Sequence, residues 1–63
     1  MKTNEIVRME ITINNIQEKG LLAMKNGDEI LSAQCYMQGL ELSQQNGDEN
    51  KTNEFRKLLL MLL

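Results

Sequence analysis

At 63 residues the chain has room for one domain, and a domain of that size buries only about 60% of its unfolded surface, so an isolated copy is marginally stable. Small folds compensate with disulfides, a metal or association, and one cysteine with no histidine closes the first two routes. The net charge of -2, one Tyr, one Phe and no Trp disfavour nucleic acid binding, which needs a basic surface and stacking rings.

Proline is absent, and the strong punctuation is Asn26-Gly27-Asp28-Glu29 with its copy Asn46-Gly47-Asp48-Glu49. In each, Gly supplies the left-handed residue that ends a helix, and Asp or a polar residue just after it caps the next. These breaks predict one all-α domain over 1–63, with a helix over about 4–25, a second over about 28–45 and a shorter third over about 51–62. The residues that follow the two copies, Ile30-Leu31-Ser32-Ala33 and Asn50-Lys51-Thr52-Asn53, are unrelated. The hinge is repeated, not a larger unit.

The start, Met1-Lys2-Thr3-Asn4-Glu5, passes straight into alternating polar and apolar residues, without the apolar stretch and small-residue cleavage site of a secretion signal. A lone thiol suits a reducing compartment, so a soluble, cytoplasmic protein is expected. In the first helix, Val7, Met9, Ile11 and Ile13 alternate with Arg8, Glu10 and Thr12, which also fits a strand over 6–13. The helical pattern runs further: Ile6, Met9, Ile13, Ile16, Gly20, Ala23 and Met24 share an arc of roughly 100°, whereas alternation stops at Ile13. Helix is the expectation.

The second helix carries two apolar arcs, Ile30, Ala33, Tyr36, Met37 and Leu40 on one side and Leu31, Cys35 and Leu42 on the other. Two arcs predict two neighbours, with the first helix on the wide arc and the third helix or a second subunit on the narrow one. Gly39 inside this helix costs about 1 kcal/mol against Ala, which either a close backbone approach explains or the fold tolerates. The third helix ends in Leu58-Leu59-Leu60-Met61-Leu62-Leu63, with apolar side chains around its whole circumference. Burying one Leu is worth about 1.5–3 kcal/mol, so the outward ones call for a cover. The run is about a third of the roughly 20 residues of a membrane span.

From Ile13 to Asn46 the chain resembles one tetratricopeptide repeat, a helix-turn-helix unit of about 34 residues. Gly20 and Gly27 fall at the spacing of its two glycines, Ser32 and Gly39 at the small positions where its helices cross, and Tyr36 at the aromatic position of its second helix. Ile16 stands for its first large residue, and Leu40-Glu41-Leu42 for its usual ending. The sequence departs from the pattern at Lys19 (usually Leu), Ala23 and Glu29 (usually aromatic) and Gln44 (usually Pro). The microtubule-interacting and trafficking domain is also similar, through Asn26-Gly27-Asp28 and the short third helix. Either resemblance implies an antiparallel helical hairpin with an added helix and a peptide- or protein-binding role. A single repeat leaves its faces uncovered, which agrees with the expectation that oligomerisation completes the fold.

Catalytic candidates are few. Without histidine there is no imidazole base and no Ser-His or Cys-His pair, and Glu10 and Glu18 fall on the polar side of the first helix. Asp28, Glu29, Asp48 and Glu49 lack the twelve-residue loop with alternating oxygen ligands that calcium binding requires, so capping is their expected role. Cys35 reads as a small buried hydrophobe on the narrow arc. Met9, Met24 and Met37 read as core filling, while Met61 suits either the core or an adaptable binding surface. Arg56 and Lys57 before the leucines suggest a membrane-surface tail, but two cations on an acidic chain make a weak anchor.

The sequence therefore predicts a non-catalytic interaction module, a small adaptor or regulator that self-associates and binds a protein partner, with no cofactor, no metal and no nucleic acid. The expected interface comprises Leu31, Cys35, Leu42, Phe55, Leu58, Leu59, Met61, Leu62 and Leu63. A chaperone-like protein that covers an apolar helix of its partner is the alternative.

Overall fold

The computed structural model describes residues 3–63, which form three helices and no strand: α1 (Asn4–Lys25), α2 (Glu29–Gln45) and α3 (Glu49–Met61). Residues 6–13 are helical, and the stripe that decided the matter, Ile13, Ile16, Gly20 and Ala23, is the buried face of α1. Of the alternating residues, Val7 and Ile11 are left exposed.

Each helix start is capped by the side chain immediately before it. The Thr3 hydroxyl accepts a hydrogen bond from the Ile6 N–H at 3.2 Å, and the Asp28 and Asp48 carboxylates accept from the Leu31 and Lys51 N–H groups at 3.0 and 3.1 Å. The two hinges are built alike. Gly27 and Gly47 take φ of 83° and 69°, and their N–H groups donate to the Met24 and Gln44 carbonyls at 3.0 and 3.1 Å. The Asp28 and Asp48 N–H groups donate to the Ala23 and Ser43 carbonyls at 2.8 and 2.9 Å, which completes a Schellman motif in both hinges. Each Asp thus closes one helix with its amide and opens the next with its carboxylate. Because Asp48 caps α3, that helix begins at Glu49 rather than near residue 51.

The short hinges fold the helices antiparallel into a slab of 39 × 17 × 12 Å, with α2 packed against both α1 and α3. At the centre lie Ile13, Tyr36 and Phe55, with Met9, Leu40, Leu42, Leu58, Leu59 and Leu62 packed around them. The two rings meet at 6.3 Å between centroids and 49° between planes.

As expected, α2 has two neighbours, α1 and α3, but they do not sit one on each apolar arc. Its buried residues are Ser32, Cys35, Tyr36, Gly39 and Ser43, a single strip that takes Tyr36 from the wide arc and Cys35 from the narrow one and joins them through small residues. Ile30 and Met37 from the wide arc and Leu31 from the narrow one are exposed. Both neighbours sit on this strip: the Ser32 hydroxyl donates to the Gly20 carbonyl of α1 at 2.8 Å, and the Thr52 hydroxyl of α3 donates to the Ser43 hydroxyl at 3.1 Å. Small residues in the middle let two helices approach where bulky ones would hold them off.

The glycines inside the helices are sockets for rings. A Cβ on Gly20 would lie 2.5 Å from a Tyr36 ring carbon, and one on Gly39 would lie 2.3 Å from the Phe55 ring. The same interval separates Gly20 from Gly39 and Tyr36 from Phe55, so α2 and α3 each present an aromatic ring to the glycine of the helix before. Of the two explanations for Gly39, close approach is the one observed, by a ring rather than a backbone.

Candidate functional site

The last two turns of α3 divide into an inner and an outer side. Leu58, Leu59 and Leu62 lean onto the core and are half-buried. Leu60, Met61 and Leu63 face outward, at 67%, 76% and 101% exposure. Because α2 and α3 run antiparallel, these turns lie beside the first half of α2. There Ile30, Ala33 and Met37 share one side of the helix, away from the buried strip.

Between the two helices runs an open groove of about 510 Å³, lined by Ala33, Met37, Arg56, Leu59, Leu60, Leu62 and Leu63. Its walls are apolar except for Arg56 at one end. Other depressions on the surface are lined mainly by polar residues, as between Gln44, Gly47, Glu49 and Arg56. The groove thus gathers exposed apolar side chains of both helices into one open depression.

The expected interface residues part company here. Leu59, Leu62 and Leu63 line the groove. Met61 is exposed on the other side of α3, and Leu31 lies at the far margin of α2. Leu42 and Leu58 pack against the core. Phe55 is fully buried and Cys35 nearly so, close to Gly20, so both are internal contacts and not surface offered to a partner. The expected set lacked Ile30, Ala33, Met37, Arg56 and Leu60. Their signal was the spacing of Ile30, Ala33 and Met37 along one side of α2, which had been assigned to the first helix.

A polar brace ties α1 to α3 elsewhere. Lys51 Nζ donates to Gln17 Oε1 at 2.6 Å and to Glu54 Oε2 at 3.3 Å, and Gln17 Nε2 donates to the same carboxylate at 3.1 Å. The Gln17 hydrogen bond, followed by the hydrogen bond and charge of Lys51, holds the Glu54 carboxyl below its ordinary range against the opposing effect of desolvation. This cluster is only partly exposed. In the core, the Tyr36 hydroxyl is buried without a hydrogen-bond partner among the described residues.

Among the described residues, no three Cys, Asp or Glu side chains converge where a metal could be held, and no helix is long and apolar enough to cross a membrane. What the groove offers chemically is dehydration of apolar side chains, with one guanidinium for orientation. Comparison of the chain with protein-family models, with curated proteins and with solved structures finds no match.

Proposed function

We propose that this chain is a non-catalytic protein-interaction module that self-associates and binds a protein partner through the apolar groove between α2 and α3. The observation that carries the reading is the groove itself: exposed Leu60, Leu63 and Met37 around a floor of Ala33, Leu59 and Leu62. An apolar trough between two parallel-sided helices has the shape that accepts a third helix, whose apolar face anchors at i, i+3 and i+7 spacings. Covering it transfers several side chains from water, each worth about 1.5–3 kcal/mol when fully buried.

The tetratricopeptide-like character belongs to the same reading. Its support is that Gly20 and Ser32 meet where α1 crosses α2, and that Gly39 receives a ring from α3, so the small positions of the resemblance serve as helix crossings. In such arrays a further helix covers each exposed side, and here a partner helix would do so.

The test pairs binding with folding. Leu60→Glu with Leu63→Glu changes only exposed positions, so the helical content should stay as in the parent chain while self-association and partner capture are lost. Retention of both activities by the doubly substituted chain would move the interface elsewhere.

A further inference from the structure

Resting on that reading, we infer that the groove is covered by a second copy of this chain in antiparallel, two-fold symmetric fashion, with Glu29 of each copy on Arg56 of the other. The charges at the two ends of the groove carry the inference. Arg56 lines one end. Glu29 opens α2 one turn before Ala33, on the same side of the helix, and so stands beyond the other end. Both are exposed, and among the described residues neither side chain has a salt-bridge or hydrogen-bond partner.

The levels of these charges fix a register. Phe55 packs on Gly39, so Arg56 stands level with the second half of α2, roughly 14 Å along the axis from Glu29 at 1.5 Å per residue. A two-fold axis midway between them passes close to Ala33. The smallest side chain of the groove then lies where the two α2 helices approach most closely. The same axis sets Met37 of one copy on Ile30 of the other, which covers two of the exposed apolar side chains of α2. Leu60 and Leu63 flank the seam from both sides. Isologous pairing of this kind closes after two copies and leaves no open end. A parallel arrangement would place Arg56 on Arg56 and Glu29 on Glu29, and like charges facing each other oppose it.

Charge exchange tests the register. By sedimentation equilibrium, Glu29→Arg and Arg56→Glu should each weaken self-association roughly tenfold or more, since every dimer then carries two repulsive contacts. An equimolar mixture of the two variants should associate as heterodimers about as tightly as the parent chain, because each mixed pair has two attractive contacts, one as in the parent and one with the signs exchanged. The doubly exchanged chain, Glu29→Arg with Arg56→Glu, should also recover. All variants should keep the parent's far-UV circular dichroism, as both positions are exposed. If the parent chain dimerises while the exchanges and the mixture leave its affinity unchanged, the register is wrong and the interaction reading stands. A parent chain that remains monomeric at every concentration overturns the self-association on which this inference rests.

Discussion

Replacing Gly39 by Ala should destabilise the protein, against the ordinary trend for glycine in a helix. Ala is favoured over Gly by about 1 kcal/mol at a helix interior, and with open space around it the substitution would stabilise. Here the new methyl would stand 2.3, 2.5 and 2.7 Å from three carbons of the Phe55 ring, where unstrained carbon contacts lie at about 3.5–4.0 Å. The ring must withdraw by roughly 1 Å or more. It is fully buried and already meets Tyr36, so the displacement passes into the core. Overpacking costs about 1–3 kcal/mol, and a clash with three carbons of a buried ring puts it in the upper part of that range, so the net loss after the propensity gain is about 1–2 kcal/mol. In a domain of this size each kcal/mol is worth about 4–8 °C, so the Tm should fall by roughly 5–15 °C. Thermal unfolding followed by far-UV circular dichroism at one fixed protein concentration measures it, since association also shifts Tm. Combining Gly39→Ala with Phe55→Leu should cost less than the sum of the two single changes, because the smaller side chain vacates the space the methyl enters. A Gly39→Ala protein as stable as the parent would refute the socket.

Other positions yield sharper contrasts of sign. Tyr36→Phe removes a buried hydroxyl that has no partner, and an unsatisfied group of this kind costs about 1–3 kcal/mol, so the variant should match or exceed the parent in Tm; a clear fall would mean that the hydroxyl is satisfied. Asp48→Ala should lose about 1 kcal/mol by uncapping α3 at Lys51, as read by urea unfolding, and Asp48→Asn should retain most of it. Glu54 has a lowered carboxyl pKa in the folded state, so its contribution is present above the ordinary value of 4.5 and is lost as the pH falls below it. The parent chain should therefore lose Tm more steeply than Glu54→Gln from about pH 5 to about pH 3, with a difference that shrinks in high salt; parallel profiles would count against the Gln17–Lys51–Glu54 brace.

The hinges were legible because their chemistry is local. A left-handed residue demands Gly27 and Gly47, and the capping oxygen of Asp28 and Asp48 lies within three residues of the amide it serves. The stripe on α1 was legible for a related reason: Ile13, Ile16, Gly20 and Ala23 recur with the helix period, and a count over the whole segment separates them from alternation. The packing face of α2 was not. Its middle is Ser32, Gly39 and Ser43, which carry little hydrophobic weight, so a search for apolar periodicity finds the margins and passes over the strip.

That single omission propagated to the site. With the strip unseen, Cys35 and Phe55 read as part of an interface with a partner, although one lies by Gly20 and the other fills the socket of Gly39. Ile30, Ala33 and Met37 read as the seat of the first helix, whereas α1 occupies the strip and leaves their side of α2 open. The excess of apolar side chains at Leu58–Leu63 was legible, since no helix can turn six consecutive apolar residues inward. Which of them face out depends on the angle at which α3 settles on Gly39, a long-range contact that local pattern does not encode.

The account rests on the outward apolar surface of α2 and α3 driving association. Sedimentation equilibrium of the parent chain and of the Leu60→Glu, Leu63→Glu variant, each over a wide concentration range, tests this most directly. The parent should pass from monomer to dimer as concentration rises, while the variant stays monomeric with its helical content intact. A well-folded parent that remains monomeric throughout, or a variant that dimerises as the parent does, would contradict it.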